Sequence, residues 1–180
     1  VAATAAVLSE AGVGPGDRVA AWMPHVPETV VTFLAAASIG AVFSSTSADF
    51  GVDGVVDRFG QIEPTVLVAA DGYRYGGKSF DCLDRLAEIR AQLPSLARTV
   101  VVGCLSDSPD LTRAEGPGTA GGLEGWSDAL ARHAGAELTF RPLPFDHPLY
   151  ILYSSGTTGK PKCIVHRAGG ILLKHLSEIV

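Results

Sequence analysis

Short apolar segments alternate with segments of helical period along residues 1–103 of the chain. In the helical segments apolar residues recur three and four positions apart, whereas the apolar segments between them are short and uninterrupted. The predicted strands are 19–23, 41–44, 65–70 and 99–103, and the predicted helices are 1–11, 27–39, 49–61 and 79–92. This alternation predicts an α/β fold with a mainly parallel sheet flanked by helices on both faces.

Beyond residue 103 the pattern is less regular. A segment rich in Gly, Pro, Asp and Thr at 106–122 predicts an exposed loop, and a helix is predicted at 123–133. Prolines make 141–148 an extended connector. The last predicted elements are buried strands at 149–153 and 163–166 and a helix from 171.

Composition narrows the class of partner. The net charge is −5 and no basic stripe is visible, which argues against nucleic acid as a partner. No apolar run reaches the length of a membrane span. Cys82, Cys104 and Cys163 are scattered singly and are predicted to be small buried apolar residues, which suits a reducing, cytoplasmic compartment. No histidine pairs with a cysteine at metal-ligand spacing, so no structural metal site is predicted.

Residues 150–162, Y-I-L-Y-S-S-G-T-T-G-K-P-K, carry the chemistry of a phosphate-binding segment. Glycines let the backbone approach oxyanions, hydroxyl groups donate hydrogen bonds, and lysines neutralise charge. The alternative is an ordinary Ser/Gly-rich turn between two strands. Small hydroxyl residues fill every position between the glycines, although a turn requires only one or two special residues, so phosphate binding is the preferred interpretation.

Two familiar nucleotide-binding motifs do not fit this segment. The P-loop of nucleoside triphosphatases needs G-x-x-x-x-G-K followed by Ser or Thr. Here only Thr157 and Thr158 separate Gly156 from Gly159, and Pro161 follows the lysine. The G-x-G-x-x-G fingerprint of dinucleotide-binding folds fails as well, because no third glycine has the required spacing.

Residues 151–162, called the signature loop below, resemble at each position the signature of the adenylate-forming superfamily, which includes acyl-CoA synthetases, luciferases and peptide-synthetase adenylation domains. Cys163 departs from the glycine that many members have next. Four further segments are similar to the acetoacetyl-CoA synthetase branch, close to the acetyl-CoA synthetases. They are F-S-S-T-S-A-D-F-G at 43–51, D-R-F-G-Q-I-E-P at 57–64, D-G-Y-R-Y-G-G-K at 71–78 and I-V-H-R-A-G-G-I at 164–171.

The resemblance implies a ligase with two half-reactions. The carboxylate of acetoacetate attacks the α-phosphate of ATP, giving an acyl-adenylate and pyrophosphate, and the thiol of coenzyme A then displaces AMP. Magnesium (Mg2+) accompanies the ATP, and the implied partners are these small molecules. Two alternatives stay open: acetyl- or propionyl-CoA formation, and a nucleotide-binding α/β module without turnover.

The resemblance also assigns parts of the chain. It makes residues 1–180 a partial AMP-binding domain, truncated at both ends, from the large N-terminal domain of an adenylate-forming enzyme. The family's adenine-contacting segment and C-terminal domain would lie outside, so these residues alone are predicted to be inactive. The implied ATP-phosphate contacts are Ser154, Ser155, Gly156, Thr157, Thr158, Gly159, Lys160 and Lys162.

Several side chains keep two interpretations. Lys160 would follow the leaving pyrophosphate or extend into solvent, and Lys162 would contact phosphate or form a structural salt bridge. By resemblance Arg74 contacts the phosphate-bearing nucleotide end of coenzyme A, a role that suits a guanidinium; the alternative is a solvated loop arginine. The family's second arginine is replaced by Gly77, beside Lys78. Adjacent residues on a helix do not face one another, so residues 57 and 58 are interpreted as bracing neighbouring elements.

Overall fold

The structure is a computed structural model that describes residues 1–154 and 159–179. Within them the helices are α1 Ala2–Glu10, α2 Pro27–Ile39, α3 Val52–Phe59, α4 Leu83–Ala91, α5 Trp126–Ala131 and α6 Ala168–Ile179, with a 3-10 helix at Leu111–Ala114. The strands are β1 Arg18–Met23, β2 Val42–Ser47, β3 Val66–Ala70, β4 Gly72–Tyr75, β5 Lys78–Asp81, β6 Arg98–Val102, β7 Gly122–Gly125, β8 Pro148–Tyr153 and β9 Cys163–Arg167.

Seven strands form one sheet in the order β7-β6-β3-β1-β2-β8-β9. Neighbouring strands run parallel except β9, which pairs antiparallel with β8 at the edge. Side chains alternate along β1, so that Val19 and Ala21 pack with α1, α2 and α5, while Ala20 and Trp22 pack with α3 and α4. Helices therefore cover both faces, and the predicted fold class is confirmed.

The second helix shows how local sequence sets element bounds. Pro27 occupies its first turn, where backbone N–H groups have no intrahelical acceptor, so the N–H that proline lacks costs the helix no hydrogen bond. Gly40 ends the helix with φ +81°, a left-handed conformation that L side chains rarely adopt. The predicted bounds, 27–39, match those observed.

A β-hairpin replaces the start of the helix predicted at 79–92. Strands β4 and β5 form a separate two-stranded sheet, joined by Gly76 and Gly77. Both glycines have positive φ, +57° and +76°, as a type I′ hairpin turn requires. Tyr73 stacks on Phe80 with ring centroids 5.0 Å apart, and α4 begins only at Leu83. The helical periodicity of α4 extends back in the sequence to residue 79, so β5 could not be distinguished from the start of a helix.

A buried arginine organises the segment 106–122, which was predicted as an exposed loop. Arg90 of α4 has no exposed surface and donates to the carbonyl oxygens of Ala114 (2.6 Å), Ala120 (3.3 Å) and Gly121 (3.2 Å). Ala114, at the end of the 3-10 helix, is itself buried. The helix predicted at 123–133 is shorter than expected, because β7 occupies its first residues and pairs with β6.

Several burial predictions are wrong. β8 was predicted to be buried, but Ile151 is its one buried residue. β9 was predicted as a buried strand, but most of its residues are exposed because it lies at the sheet edge. Cys163 at its start is exposed and Cys104 is half-buried, whereas Cys82 is buried as predicted. No helix in residues 1–154 and 159–179 is both long and apolar enough to cross a membrane.

Candidate functional site

A cleft of about 420 Å³ lies at the carboxyl ends of β1, β2 and β8. Its walls include His25 after β1, Ser45 and Ser47 of β2, and Arg58 and Tyr153. In open α/β sheets, ligands bind in crevices at the carboxyl ends of the strands. The signature loop begins inside β8, and its residues Leu152 and Tyr153 line the cleft.

Backbone hydrogen bonds join the two ends of the signature loop. Ile151–Tyr153 belong to β8, and Tyr153 pairs with Cys163 of β9. The Ser154 N–H then donates to the Lys162 carbonyl oxygen at 3.1 Å, which joins the two ends of the turn. Gly159 has φ +93°, and a Cβ there would meet no atom of the described residues within 4 Å. Backbone conformation, not crowding, therefore favours glycine at this position.

Four predicted phosphate contacts, Ser155, Gly156, Thr157 and Thr158, lie outside the described residues. The other four are described, and a hydrogen bond joins the first and the last of them. Those are Ser154, Gly159, Lys160 and Lys162.

The two lysines of the signature loop have different surroundings. The Lys160 ammonium lies 3.4 Å from a carboxylate oxygen of Asp57, just before the end of α3, and its side chain is 72% exposed. Lys162 is exposed, and none of the described residues forms an ion pair with it. The salt-bridge interpretation of Lys162 thus gains no support from the described part of the chain.

Tyr153 anchors the entrance of the loop, a role that the sequence analysis missed. Its hydroxyl donates to the Arg58 carbonyl oxygen at 3.3 Å and lies 3.1 Å from the Ser44 hydroxyl, which itself donates to the Ile151 carbonyl oxygen at 2.8 Å. Burial raises the pKa of Tyr153 to about 12, so the phenol remains a donor at neutral pH. The only sequence signal was an aromatic residue directly before the serines.

The guanidinium of Arg58 stacks beside the same tyrosine. It lies 4.5 Å from the ring centroid of Phe50 and 5.8 Å from that of Tyr153, and it donates to the Gly54 carbonyl oxygen at 2.7 Å. Together with the Asp57–Lys160 ion pair, these contacts agree with the interpretation that residues 57 and 58 brace neighbouring elements.

Arg74 lies apart from the signature loop, on the β4–β5 hairpin. It is exposed and stands opposite Ser79, whereas Lys78 stands opposite Tyr75. Successive strand residues point to opposite faces, so Arg74 and Lys78 lie on different faces of the hairpin. Gly77 occupies a turn position with φ +76°, where an arginine would be strained.

Comparison with known proteins agrees with this arrangement. A family described as AMP-binding enzyme matches residues 1–178. The chain belongs to the AMP-binding enzyme family. This confirms the superfamily that the signature loop predicted.

Several similar proteins carry the name acetoacetyl-CoA synthetase. The chain is 52% identical to the acetoacetyl-coenzyme A synthetase of Rhizobium meliloti strain 1021, over 95% of the chain and 25% of that protein. It is 44% identical to the acetoacetyl-CoA synthetase of Xenopus tropicalis, over 99% of the chain and 26% of that protein. A solved structure titled acetoacetyl-CoA synthetase from Streptomyces lividans superposes with a TM-score of 0.86 at 46% identity, covering 99% of the chain and 26% of that structure's chain. The chain thus spans about a quarter of the length of these relatives.

Proposed function

We propose that this chain is part of an AMP-forming acetoacetate–CoA ligase and that its signature loop holds the phosphates of ATP. The observation that carries the proposal is the position of this loop: it leaves the carboxyl end of β8 beside the cleft, closed at its base by the Ser154–Lys162 hydrogen bond. The name shared by similar proteins supports acetoacetate as the acid. The free cysteines among the described residues support a cytoplasmic location.

In the first half-reaction, a carboxylate oxygen of acetoacetate forms a bond to the α-phosphorus of ATP as the α–β anhydride bond breaks and pyrophosphate leaves. Attack of one anion on another requires positioning and charge neutralisation rather than a protein nucleophile. Backbone N–H groups of 156–159 would bind the β- and γ-phosphates. The hydroxyls of Ser154, Ser155, Thr157 and Thr158 would donate further hydrogen bonds.

The lysines would supply charge to the leaving group. Lys160 would exchange its contact with Asp57 for the pyrophosphate, and Lys162 would add a second positive charge at the base of the turn. The described residues include no cluster of three or more His, Cys, Asp or Glu side chains able to hold a metal ion. Magnesium would enter with ATP as part of the nucleotide substrate.

In the second half-reaction, the thiol of coenzyme A attacks the acyl carbon and AMP leaves. Arg74 would bind a phosphate of coenzyme A, since its guanidinium is exposed on the hairpin and has no hydrogen-bond or ion-pair partner among the described side chains. Arg74→Ala should then raise the KM for coenzyme A without changing the KM for ATP. If the KM for coenzyme A is the same in Arg74→Ala and the wild type, the alternative, a solvated arginine, is favoured.

The test is acid-dependent exchange of labelled pyrophosphate into ATP by the full-length protein. Exchange with acetoacetate well above that with acetate or propionate is the expected result. Faster exchange with acetate or propionate would move the assignment to the corresponding CoA ligase. No exchange with any of the three acids would refute the ligase and leave a nucleotide-binding module.

A further inference from the structure

The end of α3 and the turn after it, residues 57–61, contact the signature loop at both of its ends. At the loop entrance, the Arg58 carbonyl oxygen accepts from the Tyr153 hydroxyl. At the loop exit, the Gln61 side-chain amide donates to the Pro161 carbonyl oxygen at 2.9 Å. Between these contacts, the Asp57 carboxylate pairs with Lys160. One helical turn therefore meets the segment that is proposed to hold ATP at three points.

The amide of Gln61 uses both of its hydrogens. One is donated to the Asp57 carbonyl oxygen at 2.6 Å, one turn earlier in the helix, and the other to Pro161. Gln92, at the end of α4, makes the same kind of local bond, to the Glu88 carbonyl oxygen at 3.3 Å, but no bond to the signature loop is found for it among the described residues. The bond from Gln61 to the carbonyl four residues earlier is thus an ordinary helix-end contact, and the bond to Pro161 is additional to it.

The Asp57–Lys160 pair is weak enough to exchange. The two side chains are 42% and 72% exposed, and exposed ion pairs contribute little to stability because water and salt screen them. A polyphosphate carries several negative charges and offers oxygen acceptors that a lysine can follow. Nucleotide binding can therefore draw Lys160 from Asp57 at small cost.

We propose that Gln61 and Asp57 are positioning residues of the signature loop. Gln61 fixes the exit of the loop for nucleotide binding, and Asp57 holds Lys160 when no nucleotide is bound and competes with the polyphosphate for it. This inference rests on the proposed role of the loop in binding ATP phosphates.

Gln61→Met in the full-length protein tests the first part. Methionine keeps the length and helix propensity of glutamine and changes no charge, but it removes both donors. The expected result is a KM for ATP about fivefold higher, the effect of losing the hydrogen bond to Pro161, with an unchanged KM for acetoacetate. Gln92→Met, the matched control, should leave both KM values unchanged. Equal KM values for ATP in the two variants would overturn the role of Gln61.

Asp57→Asn tests the second part, and here the affinity for ATP should rise rather than fall. By calorimetry, magnesium-ATP should bind this variant about twofold more tightly, because Lys160 no longer has a competing partner. Asp53→Asn, one turn earlier on α3, carries the same charge change and should bind as the wild type does. In a Lys160→Met background, Asp57→Asn should have no further effect. A persistent effect in that background would overturn the competition.

The two levels of the proposal fail differently. If the wild-type protein binds no magnesium-ATP in the calorimeter, both the ATP-binding role and the positioning role are wrong. If the wild type binds and the Gln61 and Asp57 variants match their controls, only the positioning role is wrong. Should Gln61→Met fail to fold, Gln61→Leu compared with Gln92→Leu tests the first part, and the Asp57 and Lys160 variants decide the second.

Discussion

Arg90 is predicted to fix the segment 106–122 against α4 through its hydrogen bonds, and Arg90→Met removes these bonds. Methionine preserves the apolar stem but leaves the Ala114, Ala120 and Gly121 carbonyl oxygens without their donor. Removing the charged partner of such a buried network costs about 3 kcal/mol. The carboxylate of Glu115 also pairs with Arg90, at 3.4 Å, but its side chain is 53% exposed and the pair adds little to this value.

Hydrogen–deuterium exchange followed by mass spectrometry measures this loss where it occurs. If local opening becomes easier by about 3 kcal/mol, amides of 106–122 should exchange roughly 100-fold faster in the variant. Amides of β1 and β3, in the centre of the sheet, should exchange as in the wild type.

Arg113→Met provides the matched control, because Arg113 lies in the same segment. Its guanidinium pairs with Asp81 at 2.8 Å and Asp84 at 3.0 Å, but on an exposed surface where such pairs contribute little. These carboxylates raise the pKa of Arg113 further above its ordinary range, which does not alter its charge at neutral pH. Exchange in Arg113→Met that is as fast as in Arg90→Met would refute the argument from burial.

Two further variants test the remaining contacts. Tyr153→Phe should lower the free energy of unfolding in urea by about 1 kcal/mol, since the Arg58 carbonyl oxygen loses its donor; an unchanged value would contradict the anchoring role. Hydrogen bonds from His133 and two arginines lower the pKa of Glu10 from 4.5 to about 2. Because the folded-state pKa is the lower one, this stabilisation is present above about pH 4.5 and is lost as the pH falls toward 2. The difference in melting temperature between the wild type and Glu10→Gln should therefore shrink below pH 4.5, and a constant difference would contradict this assignment.

The parallel sheet could be predicted because its strands are continuous apolar runs between helices of clear period. Val100–Val102 and 65–70 are examples, and both strands are buried as expected. β7 was missed because Gly122–Gly125 contains a single apolar residue, and its strand conformation comes from pairing with β6. The β4–β5 hairpin has a local signal, Gly76-Gly77 between Tyr75 and Lys78, that is typical of a two-residue hairpin turn.

In the candidate site, too, some residues could be predicted from the sequence and others could not. Loop residues such as Gly159 and Lys160 are recognisable because their chemistry lies in one short segment. Gln61 and Pro161 are separated by 100 positions and Ser44 and Tyr153 by 109, so no local pattern relates them. Contacts of this kind follow from the position of β8 beside β2, which only the folded chain defines.

The phosphate role of the signature loop is tested most directly by the rate of pyrophosphate release in a single turnover with acetoacetate and ATP. Lys160→Ala should slow this step by roughly 10- to 100-fold, the value of one charged hydrogen bond to the leaving group. Transfer from preformed acetoacetyl-adenylate to coenzyme A should be unchanged. Lys174→Ala, which removes an exposed lysine paired with Glu178 on α6, should affect neither step. Wild-type pyrophosphate release in Lys160→Ala would contradict the account.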